Sequence, residues 1–211
     1  MKEIVIIGAR GFGREHYNGL RQNENYGKEF VIKGFLDDKK DALFGYVGYH
    51  PILSSVEDYE IGKDDVFICA LGDSFYRIKY IDIILAKGGE FTNLIDNKSI
   101  IHANAKIGKG VMISAFCSIS SDVVIGDFTI IQPFCNLGHD AQIGEYCSLE
   151  SYTFMGGFSK IGDKVILHTR ATILPHIKVG DNSIVGAGSV VIRNVKDNTT
   201  VFGVPAKKVV F

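Results

Sequence analysis

Ile125-Gly126-Asp127-Phe128-Thr129-Ile130-Ile131-Gln132-Pro133-Phe134-Cys135-Asn136-Leu137-Gly138-His139-Asp140-Ala141-Gln142-Ile143-Gly144 spans one period of a repeat that fills about half the chain. Within it an aliphatic residue returns every six positions, at Ile125, Ile131, Leu137 and Ile143. Followed outward, the beat holds without a miss from Ile95, through Ile113 and Leu149, to Val191. The fourth residue after each is small or β-branched through most of the run, as at Thr129, Cys135, Ala141 and Cys147. A second beat of eighteen lies on top, marked by Ile107-Gly108, Ile125-Gly126, Ile143-Gly144, Ile161-Gly162 and Val179-Gly180. An α-helix would smear a six-residue period around its surface, and a simple strand would show period two. Short strands joined by tight corners, three hexads to a coil, satisfy both beats, so residues 94–195 are expected to form a parallel β-helix. The aliphatic residue should fill its interior and the small one its corner, with glycine where the backbone turns sharply.

At 211 residues, 46% hydrophobic and a formal charge of −1, the chain is expected to be globular with a substantial core. With no basic surplus, neither nucleic acid nor an anionic membrane is an expected partner. The apolar run Ile4 to Ile7 is far too short for a signal peptide or a span and leads into a glycine turn. No membrane insertion is therefore expected, and the location implied is cytoplasmic. Cys117, Cys135 and Cys147 take the small inward slot of the repeat, and Cys69 lies in the apolar run Val66 to Leu71. All four read as reduced core thiols rather than as disulfides or nucleophiles.

Residues 1–93 follow a different grammar. Glu3 to Ile7 reads as a strand, followed by the turn Gly8-Ala9-Arg10-Gly11-Phe12-Gly13 and a helix to about Asn23. Phe30 to Leu36 is a second strand ending in Asp37-Asp38, and Val66 to Leu71 a third, with Gly72-Asp73-Ser74 starting a helix to about Lys87. This predicts a small Rossmann-like α/β domain on a parallel sheet, with the three turns converging where such sheets bind ligands. The glycine order is G-x-x-G-x-G rather than G-x-G-x-x-G, which argues against a dinucleotide site. The turn is either a tight strand-to-helix connection or an amide cradle for a phosphate. Asp37 and Asp38 are either plain loop acids or acceptors for sugar or base hydroxyls. Residues 196–211 leave the repeat and are expected to cap its open edge, with Lys207-Lys208 as the cationic pair there.

Nearly the whole chain resembles the hexapeptide-repeat sugar acyltransferases that carry an amino-terminal nucleotide-sugar domain. That family includes bacterial amino-sugar N-acetyltransferases of surface-glycan synthesis and relatives of sialic acid O-acetyltransferases. The resemblance rests on Gly8–Gly13, Phe35-Leu36-Asp37-Asp38, Ala70-Leu71-Gly72-Asp73, Gly138-His139-Asp140, Gly186-Ala187-Gly188 and Gly203-Val204-Pro205-Ala206. It implies a left-handed coil, where chain-crossover physics alone would favour the right-handed one. It also implies a homotrimer with active sites between neighbouring β-helices. The implied activity is acetyl transfer from acetyl-CoA to the amine of a nucleotide-linked amino sugar, with His139 as general base.

The attacking amine must lose a proton, which imidazole can take near neutral pH, and Asp140 would orient and stabilise that ring. For acetyl-CoA the resemblance points to Ser148, Thr169 and Ala187, with Lys207 or Lys208 at a CoA phosphate. Thr169 and Ala187 are eighteen residues apart and should stack on one edge. His139 precedes Thr169 by five hexads and should lie on another edge, so a trimer is needed to bring the two edges together. For the acceptor it points to Arg10, Gly11, Phe12, Asp37, Asp38, Gly72 and Tyr80. Phe12 stands where the amino-sugar enzymes commonly have histidine, which keeps sugar O-acetylation open as an alternative. A non-catalytic scaffold is the other alternative, and the presence of His139 argues against it. His102, His139, His168 and His176 are spaced by 37, 29 and 8 residues, so no metal site is expected. His168 and His176 read as exposed corner residues.

Overall fold

The computed structural model describes residues 1–209. They divide into two compact units, Met1–Thr92 and the residues from Asn93 onward. The first unit is a parallel sheet of β1 (Lys2–Ile7), β2 (Phe30–Leu36), β3 (Ile52–Ser54), β4 (Asp65–Cys69) and β5 (Glu90–Phe91), ordered β3-β2-β1-β4-β5. Helices α1 (Gly11–Gln22) and α2 (Ser74–Ala86) follow β1 and β4. The central strands are apolar on both faces: Val5, Ile6, Phe67 and Ile68 are at most 1% exposed. The edge strands β3 and β5 escaped the sequence reading because two or three residues are too few to show alternation.

The turn after β1 is glycine-rich for packing reasons. A Cβ at Gly13 would sit 1.8 Å from the Gly8 carbonyl oxygen, and Gly8 itself holds φ at 98° against Ala70 and Leu71. Asp73 caps α2 by accepting from the Phe75 and Tyr76 N–H groups. Arg10 offers α1 no side-chain cap. At the amino end of β4 the buried Asp65 carboxylate accepts from Lys33 at 2.6 Å, Gly62 N–H at 2.7 Å and the Tyr59 hydroxyl at 2.8 Å. Burial works to raise its pKa, but these donors outweigh burial and hold it below the usual carboxylate range.

From Leu94 the chain winds as a three-sided prism of two-residue strands, each paired in parallel with the strand eighteen residues on. The first face runs from Leu94–Ile95 through Ser148–Leu149, and the second from Ile100–Ile101 through Asn136–Leu137. The third runs from Lys106–Ile107 through Gln142–Ile143 to Lys178–Val179. The six-residue beat points inward as expected, with Ile119, Ile131, Leu137, Leu149 and Leu167 at 0% exposure. The small slot is equally buried at Val123, Ala141, Cys147 and Val165, all at 0%. Its cysteines are reduced thiols donating to carbonyls of the next coil: Cys117 to Gln132, Cys135 to Glu150 and Cys147 to Gly162.

The glycines do a different job from the one expected. The residue that turns each corner comes three after the inward aliphatic, and its φ is 63°, 61°, 57°, 64° and 60° at Phe116, Asp122, Phe128, Phe134 and Asp140. Glycine fills that series only at Gly110 and Gly188. The Ile-Gly glycines instead mark where successive coils almost touch. A Cβ at Gly126 would lie 2.6 Å from the Gly144 carbonyl, and one at Gly144 would lie 2.5 Å from that of Gly162. The left-handed conformation costs an L-residue roughly 1–2 kcal/mol. Ring stacking between coils offsets that cost, with centroids 5.1 Å apart for Phe116–Phe134, 4.8 Å for Phe134–Tyr152 and 5.2 Å for Phe128–Tyr146.

The carboxyl-terminal segment, expected as a cap over 196–211 and described as far as Val209 with 210–211 outside the described residues, stays partly in register. Thr200–Phe202 extends the first face by pairing in parallel with Ile184–Val185, and Lys207–Lys208 folds back antiparallel over it. The reversal covers an edge whose N–H and C=O groups would otherwise be open. Among the described residues no helix is long and apolar enough to cross a membrane.

Candidate active site

A cavity of about 520 Å³ opens at the carboxyl ends of β1, β2 and β4. Arg10 and Phe12 line it from the first turn, Asp37 and Asp38 from the end of β2, Gly72 from the loop after β4 and Tyr80 from α2. Gly11, expected among them, does not line it and has open space around it. The chain leaves β1 toward β2 on one side, while β4 lies on the other, so the loops part and leave a crevice.

The two aspartates differ in role. Asp37 accepts from Ala9 N–H through Oδ2 and from Lys39 N–H through Oδ1, each at 2.9 Å, so it fixes the first turn. Asp38 accepts from the Tyr80 hydroxyl through Oδ2, and its Oδ1 has no partner among the described residues. Burial, followed by that carboxylate, raises the Tyr80 pKa. Below Phe12, His16 lies edge-on at 4.3 Å with its Nε2 buried and unpartnered. Burial pulls its pKa down to about 4 and keeps it neutral.

In the second unit His139 and Asp140 occupy the corner between the second and third faces, after Asn136–Leu137 and before Gln142–Ile143. Asp140 is the corner's left-handed residue, anchored by its N–H to the Ser121 carbonyl at 3.0 Å. Its Oδ2 meets His139 Nδ1 at 2.9 Å, which leaves Nε2 as the nitrogen free to take a proton. The imidazole side chain is 60% exposed, with the Phe158 ring edge-on at 5.1 Å.

Gly157, eighteen residues past His139, stacks over it. A Cβ there would stand 2.9 Å from His139 Cε1 and Nε2, so only glycine leaves the ring its place. The Gly157 carbonyl accepts from His176, while its N–H has no partner among the described residues. A base nitrogen and a free amide thus share one corner. Sequence reasoning missed Gly157, yet adding one coil of eighteen to the candidate base points straight at it.

Thr169 and Ala187 lie on the corner between the first and second faces, one coil apart, with Gly188 N–H donating to the Thr169 carbonyl at 2.9 Å. The backbone N–H and C=O of Ala187 have no partner among the described residues. Thr169 is more occupied: Glu150 Oε2 accepts from its N–H at 2.9 Å and from its hydroxyl at 3.2 Å. Glu150 Oε1 also meets His168 Nδ1 at 3.0 Å, so His168 is a half-buried, paired side chain and not the exposed corner residue expected. His176 is exposed and stacks on Phe158 at 5.1 Å. Ser148 sits on the first face with its hydroxyl buried and unpartnered, and Lys207 is exposed in the closing hairpin. Within one chain these residues and His139 stay on separate edges. Among the described residues no group of three or more His, Cys, Asp or Glu is arranged to hold a metal ion.

Comparison with known proteins matches both units to described families. Residues 122–157 and 158–193 match the bacterial transferase hexapeptide (six repeats) family, and residues 3–84 match the PglD N-terminal domain. A search of curated proteins returned no match. The acetyltransferase domain of PglB from Neisseria gonorrhoeae FA1090 superposes with a TM-score of 0.90 at 24% identity, covering 99% of this chain and 100% of that one. A histidine-to-alanine variant of GDP-perosamine N-acetyltransferase from Caulobacter crescentus, in complex with CoA and GDP-perosamine, gives 0.77 at 22% identity over 100% and 98%. A variant of AntD, an N-acyltransferase from Bacillus cereus in complex with dTDP and coenzyme A, gives 0.51 at 25% identity over 55% and 78%. The shared architecture is a parallel-sheet domain followed by the left-handed β-helix of hexapeptide repeats.

Proposed function

We propose, from a chain that joins a PglD N-terminal domain to a bacterial transferase hexapeptide repeat and whose structural neighbours are acyltransferases, that it transfers acetyl from acetyl-CoA to the amine of a nucleotide-linked amino sugar. The observation that carries this reading is the His139–Asp140 corner with the free Gly157 N–H beside it. His139 Nε2 takes the proton of the attacking amine, and the Asp140 carboxylate stabilises the imidazolium that forms. The Gly157 N–H receives the charge that develops on the thioester oxygen. The amine attacks directly, since all four thiols are buried and Cys69 is pushed up to about 12 by burial.

The acceptor's nucleotide occupies the first unit's cavity, its phosphates on Arg10 and the uncapped α1 amide of Phe12, and its hydroxyls or base on Asp38, Tyr80 and Gly72. Asp37 supports this site by holding the turn. Acetyl-CoA follows the edge of Thr169 and Ala187, where Ala187's free backbone groups suit the pantetheine amides, with Ser148 and Lys207 at its ends. A homotrimer, acting in the cytoplasm in surface-glycan synthesis, brings that edge to His139 of a neighbour. The test is CoA thiol release across a panel of nucleotide-linked amino sugars. Release with at least one member, giving an acetamide product, is expected; no release with any would overturn the reading.

A further inference from the structure

Glu150 and His168 form a second histidine–carboxylate pair that the reaction above leaves unused. Glu150 spends Oε1 on His168 Nδ1 and Oε2 on Thr169, so the ring is fixed with Nε2 turned away from the carboxylate. The His168 side chain is 40% exposed and that of Glu150 30%, and an ion pair so placed adds little to stability. Their surroundings suit chemistry better, because this is the edge on which Ala187 shows its unpartnered backbone.

Height along the prism supplies the second observation. One coil is eighteen residues and advances the fold by about 4.8 Å, the spacing of paired strands. By chain position His139 stands above Phe134 and below Tyr152 of the other edge. The carboxylate nearest that level on the other edge is Glu150, with His168 one coil on. Alone, a chain keeps the two pairs on separate corners. A second copy set side by side with its axis parallel can bring the edge of Glu150 and His168 to the edge of His139 and Asp140.

We propose that a second copy of this chain contributes His168, held by Glu150, to the His139 site as the acid that protonates the departing CoA sulfur. The inference rests on the acetyl-transfer reading above. The amine nitrogen forms the new C–N bond and gives its proton to His139 Nε2. The C–S bond breaks with its electron pair going to sulfur, and the proton on His168 Nε2 moves there to give the CoA thiol. Solvent then deprotonates His139 and reprotonates His168, and no redox partner is needed.

His168→Gln keeps a donor for Glu150, and with it the Thr169 corner, but carries no transferable proton. It should lower kcat roughly tenfold to a hundredfold, below the full range of a lost acid because thiolates leave readily, with KM for acetyl-CoA within about twofold of wild type. His139→Ala and His168→Gln chains, co-expressed with two tags and purified as mixed oligomers, should recover about a third of wild-type turnover, because every mixed three-fold assembly restores one intact pairing of its three. A wild-type kcat in His168→Gln overturns the acid role. Mixed oligomers no more active than their parents overturn the contribution from the second copy. If wild-type protein acetylates no nucleotide-linked amino sugar, the underlying reading falls and this inference with it, a result distinct from an active wild type with an equally active variant.

Discussion

His139 is held between neighbours on both sides, and each can be removed separately. His139→Ala should lower kcat by about 10²–10⁴-fold in steady-state assays, the usual range for a lost general base. Asp140→Asn should cost less, since Asn also accepts the left-handed φ of 60° while losing the charge. Gly157→Ala would place a methyl 2.9 Å from the imidazole and should lower kcat by up to about 10²-fold with the melting temperature nearly unchanged. A Gly157→Ala enzyme with wild-type kcat would refute that packing argument. His16 makes the first unit acid-sensitive. Burial lowers its pKa to about 4 in the folded chain, against 6.5 for an unburied imidazole, so the unfolded chain binds the extra proton between those pH values. Stability should therefore fall as pH drops from 6.5 to about 4, by roughly 3 kcal/mol at most, and His16→Phe should flatten that slope in thermal melts. The His139–Asp140 pair was legible because its members are adjacent in the chain. Gly157 and Glu150–His168 were hidden because each lies one coil from its partner. Nor does any local pattern show that both oxygens of Asp37 are spent on the Ala9 and Lys39 amides.

The coil is the element that sequence periodicity describes best, since every hexad repeats the same inward step and no long-range pairing has to be guessed. What periodicity does not report is why a given residue turns the corner. Aromatic side chains hold that position where glycine was expected, because their rings stack along the edge while the glycines serve coil-to-coil contact. The two kinds of glycine should respond oppositely to substitution. Gly144→Ala forces a Cβ to 2.5 Å from the Gly162 backbone and should cost at least about 1–3 kcal/mol by chemical denaturation. Gly188→Asn, at φ 67° with nothing within 4 Å, should be close to neutral. Equal losses at the two sites would contradict this division. The ladder Phe116, Phe134 and Tyr152 remains 54%, 45% and 50% exposed on one chain, an apolar edge that suits burial against a second copy. Light scattering should give a trimer for the wild type and a smaller species for Phe134→Glu.

In the proposed reaction the two units divide the labour of the whole molecule. A continuous core from Val111 to Val201 equips the second unit to fold alone, so a chain beginning at Asn93 should bind acetyl-CoA and fail to bind the sugar nucleotide in calorimetry. Asp38→Ala should raise KM for the acceptor and leave that for acetyl-CoA nearly unchanged. It is a cleaner probe than Asp37→Ala, which would also release the first turn. The convergence of the three turns on one crevice was legible because a parallel sheet fixes where its strand ends lie. The aspartates' separate roles emerged only once the turns were folded. Acetyl transfer itself tests the central claim most directly, measured with a nucleotide-linked amino sugar and its hydroxyl counterpart on wild-type and His139→Ala protein. The account predicts one acetyl added as an amide, with thiol release that depends on His139. Transfer to the hydroxyl counterpart alone, or transfer undiminished without His139, would contradict it.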